Sequence, residues 1–227
     1  MEIHGGPNDA VWERFAPELQ LWVDHGFALF AVNYRGSVGF GRAFQEQILG
    51  NPGHWEQEDI VAGRNWLIQQ GIARQDAILI TGWSYGGYLT LLALGKFPDL
   101  WVGGMAGYAI ADYATLHDEV AEGLELTWLF GGTPQEKPEQ YRISSPITYA
   151  EQVKAPLLIY QGRNDRGCPP QQMEYYVARL RELGKQIEIA WLETGHGTLN
   201  TEQDIATQEM LLRFAYQVLG EIREEAH

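Results

Sequence analysis

Five short apolar runs punctuate the chain, at 27–33, 77–82, 101–107, 156–161 and 186–192. They are continuous rather than alternating, the pattern of strands buried on both faces of a parallel sheet. Segments with helical spacing separate them. The stretch 55–70 places Ile60, Trp66 and Leu67 near one face and stops at Gly71. The stretch 169–183 begins with two prolines and ends at Gly184, the usual asymmetry of helix ends. Along 204–222, Ile205, Leu212, Ala215, Leu219 and Ile222 share a stripe. Strands alternating with helices predict a three-layer α/β domain. The interval 108–145 interrupts the alternation. It is aromatic and acidic, carries Gly131-Gly132-Thr133-Pro134, and has room for two or three short helices. Two readings fit it: a surface excursion that covers apolar area, or a pocket wall or cap over the active edge of the sheet.

The bulk properties narrow the class. The length of 227 residues suits one domain, 1–227, with a sizeable core. A net charge of -14 repels phosphate backbones and anionic lipid, so neither nucleic acid nor a membrane surface is an expected partner. No apolar run approaches the roughly 20 residues that span a bilayer. The start, Met1-Glu2-Ile3-His4-Gly5, lacks the basic and apolar regions of a signal peptide. The single cysteine, Cys168, rules out an internal disulfide and suits a reducing, cytoplasmic setting. No regular spacing of metal ligands is present, and no metal or organic cofactor is expected.

The richest stretch is Gly82-Trp83-Ser84-Tyr85-Gly86-Gly87-Tyr88. It contains G-x-S-x-G between an apolar run and a helix-like segment, the setting of a nucleophile elbow. In such a turn, side chains two positions either side of the serine would collide, which gives Gly82 and Gly86 a physical role. The turn pushes the Ser84 hydroxyl out over the sheet, above a helix N-terminus that favours a developing anion. By itself, the motif is also compatible with an ordinary strand-to-helix turn.

A serine hydroxyl needs a base, and the base needs an acid to orient it. In α/β-hydrolases these follow in the order Ser, Asp or Glu, His, each just past a strand end. Asp165 lies four residues after the run 156–161, and His196 four residues after the run ending at Leu192. Glycines on both sides of His196 let its loop bend back over Ser84. The other histidines fit poorly: His25 precedes the first run, His54 and His117 fall in loop-like or variable segments, and His227 is terminal. Glu193 is the nearest rival carboxylate to Asp165, but it stands too close to His196 in sequence. Two main-chain donors complete the chemistry. Tyr85 follows the nucleophile, and the loop His4-Gly5-Gly6-Pro7 offers the second.

On these residues the chain resembles the catalytic domain of the prolyl oligopeptidase family of serine peptidases, with closest likeness to the acylaminoacyl-peptidase and dipeptidyl-peptidase branch. The resemblance covers essentially the whole sequence. It runs through His4-Gly5-Gly6-Pro7, Asn33-Tyr34-Arg35-Gly36-Ser37, the Gly-Trp-Ser-Tyr-Gly-Gly-Tyr elbow, Ser145-Pro146-Ile147, Ala155-Pro156-Leu157-Leu158 and Gly195-His196-Gly197. It implies an α/β-hydrolase fold and a triad of Ser84, Asp165 and His196. It also implies an oxyanion hole from the N–H groups of Tyr85 and Gly6. The matching positions for an apolar substrate pocket are Tyr85, Ile110, Tyr113 and Cys168. The expected substrate is a short peptide or ester.

Three departures from the family pattern stand out. Gln161 occupies a position where His is common, and Cys168 one where Val is usual; neither is expected to touch the triad chemistry. The β-propeller that usually precedes this domain is absent from the sequence. Finally, the strand that leads into His4 is reduced to Glu2-Ile3, so its two neighbours are expected to lose their shared partner. N-terminal strands therefore look missing, and the sequence reads as a fragment, a shortened gene start, or a chain completed elsewhere. The sequence leaves open a peptidase, a broad-specificity carboxylesterase, or a truncated non-catalytic domain. It also leaves the oligomeric state open, a homo-oligomer included.

Overall fold

One parallel sheet of six strands carries the site: β1 (Glu2–Ile3), β2 (Ala31–Val32), β3 (Leu79–Trp83), β4 (Gly103–Gly107), β5 (Leu157–Gly162) and β6 (Ile187–Leu192), in the order β2-β1-β3-β4-β5-β6. The helices are α1 (Pro17–Asp24), α2 (Arg42–Gln45), α3 (Trp55–Gln69), α4 (Tyr85–Lys96), α5 (Tyr113–Glu119), α6 (Gly123–Phe130), α7 (Pro138–Ser144), α8 (Pro170–Glu182) and α9 (Thr201–Glu225). The computed structural model describes residues 1–120 and 123–225, with residues 123, 124 and 221–225 described by their backbone alone. The side chain of Ile222, on which its stripe position depends, and the terminal His227 therefore lie outside what is described. No described helix is long and apolar enough to cross a membrane.

Alternate strand residues feed opposite faces, as the pleat requires. Ile80, Ala106, Leu157 and Ile159 join one apolar cluster with α4 and α8. Leu79, Met105, Leu158 and Tyr160 join a second, with Trp22 of α1 and Leu211, Leu212, Ala215 and Val218 of α9. Burial on both faces holds for β4 and β5 and, apart from Thr81 and Trp83, for β3. The edge strands are only half covered, and Glu188 of β6 faces water.

Several expectations need correction. The run 27–33 forms a ladder at Ala31–Val32, because its partner β1 offers two residues. Phe27 and Leu29 pack instead against the second cluster. Trp66 is 46% exposed and Ile205 is 54% exposed. Trp66 lies against the Phe30 ring at 5.8 Å near the open edge, and Ile205 sits in the first turn of α9, before that helix reaches the sheet. The expected loss of a shared neighbour does not occur. Glu2 pairs with Ala31 and Thr81, and Ile3 with Val32 and Gly82, so two residues join β2 to β3.

The chain leaves β1 toward β2 on one side and returns to β3 on the other. Loops at the carboxyl ends of β1 and β3 therefore meet at a switch in strand order, the usual place for a ligand crevice in an open α/β sheet. One loop carries His4-Gly5-Gly6, the other Ser84.

Candidate active site

Ser84 links β3 to α4 with φ 59° and ψ −122°, a conformation that costs a non-glycine residue energy. Its neighbours hold it there. The Ser84 amide donates to the Gly107 carbonyl at 2.9 Å, and the Tyr88 amide donates to the Ser84 carbonyl at 2.9 Å. A Cβ on Gly82 would stand 2.3 Å from the Gly86 carbonyl oxygen, and one on Gly86 would stand 1.9 Å from that of Ile3. The turn closes only because both side chains are hydrogens. The first amides of α4, that of Tyr85 among them, have no carbonyl partner within the helix.

His196 follows β6, and Asp165 follows β5. His196 Nε2 lies 2.9 Å from Ser84 Oγ, and His196 Nδ1 lies 2.7 Å from Asp165 Oδ2. A carboxylate accepts only, so Nδ1 carries the proton and Nε2 presents its lone pair to the Ser84 hydroxyl. The Asp165 side chain is inaccessible to water, while that of His196 is 31% exposed. Asp165 Oδ1 accepts the Gly167 and Cys168 amides, each at 2.9 Å. Trp83 flanks the imidazole with ring centroids 4.6 Å apart, and Tyr108 flanks it at 5.8 Å. Hydroxyl, imidazole and carboxylate in this line can withdraw a proton from Ser84 as it attacks a carbonyl.

Two positions expected to stand clear of this line do not. Gln161 Nε2 donates to Asp165 Oδ2 at 3.3 Å and to the Cys168 carbonyl at 2.9 Å. Cys168 donates its amide to Asp165 at 2.9 Å. The cause is the tight loop after β5, which folds back on the strand end that carries Gln161. Burial and the Asp165 charge push the thiol pKa up.

The remaining described histidines are engaged elsewhere. His4 stacks on Tyr34 at 4.2 Å and meets Ser37 Oγ at 2.8 Å, and burial pushes its pKa down. His25 pairs with the Tyr216 hydroxyl, and His117 with Thr127 and Asp118. His54 packs edge-on against Trp55. Glu193 pairs with Arg163 at 3.0 Å on the surface.

The loop after β1 passes beside the elbow. A Cβ on Gly5 would fall 3.4 Å from that of Ser84. Gly6 has φ +122°, where a Cβ would meet the Asn8 amide nitrogen at 2.6 Å, so the loop cannot take this path with a larger residue. Tyr85, Ile110, Tyr113 and Cys168 are all buried and all belong to the first apolar cluster. Tyr85 donates its hydroxyl to Glu56 Oε1 at 2.6 Å. Glu56 is fully buried, accepts the Gly53 amide at 3.0 Å, and is pushed up to about 7 by burial. No local pattern in the sequence marks Glu56, because its partner is 29 residues away. A cleft of about 910 Å³ approaches Ser84 from the opposite side, bounded there by Gly5, Trp83, Tyr108, Gly197 and Thr198. Its walls come from distant segments, so no single motif announces it.

Comparison with known proteins places this geometry in context. Residues 13–221 match the model of the prolyl oligopeptidase family. The chain is 32% identical over 234 residues to dipeptidyl aminopeptidase BIII of Pseudoxanthomonas mexicana, covering 96% of this chain and 33% of that protein. Among solved structures, a Pyrococcus horikoshii acylaminoacyl peptidase is 35% identical with a TM-score of 0.81, covering 86% of this chain and 32% of that one. A Mycobacterium tuberculosis puromycin-hydrolyzing peptidase is 29% identical with a TM-score of 0.92, covering 96% and 34%. The chain thus spans about a third of the length of the relatives it matches.

Proposed function

The chain belongs to the prolyl oligopeptidase family, and we propose that it is a serine peptidase domain that cleaves short peptides through an acyl-enzyme on Ser84. The observation that carries the proposal is the unbroken line from Ser84 Oγ to His196 Nε2 at 2.9 Å and from His196 Nδ1 to Asp165 at 2.7 Å. Ser84 attacks the scissile carbonyl while His196 takes its proton. Asp165 holds the imidazole tautomer and stabilises the imidazolium that forms. The amides of Tyr85 and Gly6 receive the oxyanion. His196 then protonates the leaving amine, and a water molecule repeats the sequence to release the acid.

Tyr85, Ile110, Tyr113 and Cys168 form the floor that receives the side chain before the scissile bond, and α5 to α7 wall it off. Their apolar character favours a medium or large apolar side chain. The names of the relatives, peptidases that release acyl-amino acids or dipeptides, support short peptides as substrates. Because those relatives are about three times longer, the substrate range of a whole protein depends on more than this domain.

Labelling with a fluorophosphonate probe tests the reading. Wild-type chain should label stoichiometrically and Ser84→Ala not at all. Parallel rates on an amino-acid anilide and a p-nitrophenyl ester then separate a peptidase from a carboxylesterase: turnover of the ester alone would favour the esterase. Absence of labelling would leave only a non-catalytic role.

A further inference from the structure

We propose that Cys168 and His196 together form a binding site for a borderline-soft divalent cation such as Zn²⁺, and that its occupancy switches hydrolysis off. Asp165, Cys168 and His196 each bring one ligand atom within 4.8 Å of the other two. The Ser84 hydroxyl stands 2.9 Å from His196 Nε2. Sulfur and imidazole nitrogen on a tetrahedral zinc lie about 3.5 Å apart, given bonds of roughly 2.3 and 2.0 Å.

The surroundings already have the form of a metal site. Asp165 holds His196 Nδ1 at 2.7 Å, leaving Nε2 to ligate, which is the carboxylate–histidine–metal relay that orients imidazole ligands. Asp165 is in turn fixed by the amides of Gly167 and Cys168. The partial exposure of His196 opens a path from solvent, and Ser84 Oγ or a water completes the coordination. Thiolate and imidazole together select zinc-like cations over Mg²⁺ and Ca²⁺, which demand oxygen ligands.

The binding step balances without oxidant or reductant. The cation displaces the Cys168 thiol proton to water and forms a sulfur–metal bond. The Nε2 lone pair, which otherwise accepts the Ser84 proton, is donated to the metal. Ser84 keeps its proton and loses its base. Chelation reverses both bonds.

Cation binding does not depend on the proposed hydrolysis; only the switch rests on it. Because the chain contains one cysteine, any thiolate-to-Co²⁺ charge-transfer absorption arises from Cys168. Titrating the full chain with Co²⁺ should raise such a band to saturation at one equivalent. Zn²⁺ should displace it and EDTA abolish it, while Mg²⁺ and Ca²⁺ leave it untouched. Zn²⁺ should inhibit anilide turnover over the same range. Cys168→Val, scored against its own uninhibited rate, should need about tenfold more Zn²⁺ or higher. Absence of the band, equal Zn²⁺ sensitivity in the variant, or saturation without loss of rate would overturn the proposal. If the variant does not fold, the wild-type cobalt spectrum still decides. A band in a chain that hydrolyses nothing would keep the cation site and sink the hydrolytic reading.

Discussion

The Tyr85 hydroxyl and the Glu56 carboxyl meet at 2.6 Å in the protein interior, one on the first residue of α4 and the other on α3. Burial disfavours the charged carboxylate, while the Tyr85 and Gly53 donors favour it; burial prevails and the pKa rises to about 7. The same tyrosine supplies a proposed oxyanion donor through its amide and a proposed pocket wall through its ring. A titrating acid thus stands directly behind the residue nearest the chemistry.

This pair makes stability depend on pH in a stated direction. Between the ordinary value of 4.5 and about 7, folded Glu56 holds a proton that the unfolded chain has released. Its contribution is complete below 4.5 and is lost as pH rises through about 7. The swing is on the order of 3 kcal/mol. Glu56→Gln keeps an acceptor for Tyr85 and removes the titration. Urea unfolding from pH 4.5 to 8 should show a shallower decline in the variant, and parallel curves would contradict the assignment.

Replacing the nucleophile should end turnover without harming the fold. Ser84→Ala should lower kcat by about 10⁶, with the thermal midpoint shifted by no more than a few degrees. Anilide assays beside a melting curve check both halves, and residual activity within tenfold of wild type would refute the role of Ser84.

Asp165→Asn keeps the size of the side chain but can donate where Asp165 only accepts. It lets His196 take the wrong tautomer and removes the charge that supports the imidazolium. The expected loss in kcat is about 10⁴, with KM within a few-fold. An equal loss in both parameters would point to a disturbed pocket instead.

Gly86→Ala should be far more damaging than its single methyl suggests. The new carbon would stand 1.9 Å from the Ile3 carbonyl oxygen, which is backbone and cannot swing aside. Chemical denaturation should show a loss of at least about 3 kcal/mol. A variant as stable as wild type would mean that β1 does not pass where the structure has it.

Much of the fold was legible because it rests on local patterns. The runs that became β3, β4 and β5 are apolar without interruption, and prolines and glycines mark the ends of α8. The elbow was legible for the same reason: only glycine fits at 82 and 86. The approach of Asp165 and His196 to Ser84 follows from chain order and strand ends in a parallel sheet. What escaped depends on depth or distance. Helical spacing put Trp66 and Ile205 on an inward stripe, but spacing says nothing about how far a helix end projects past the sheet. The run 27–33 read as a full strand because apolar content does not reveal how many residues its neighbour can pair. Gln161 and Cys168 were expected to be bystanders, and it is the fold of one tight loop that sets both against Asp165. Glu56 sits among other polar residues of α3, and only its tyrosine partner gives it meaning.

The two-residue ladder at Glu2 and Ile3 has a consequence for how this molecule can fail. Everything after Ile3 that approaches Ser84, including Gly5 and Gly6, inherits its position from those pairings. A slip of one residue would carry that loop about 3.3 Å along the sheet and turn its side chains to the other face. The helices and the elbow could survive such an error intact. A preparation could then look native by circular dichroism and still be inert, so the fraction of molecules that react with an active-site titrant is the measure of how many have seated their first strand.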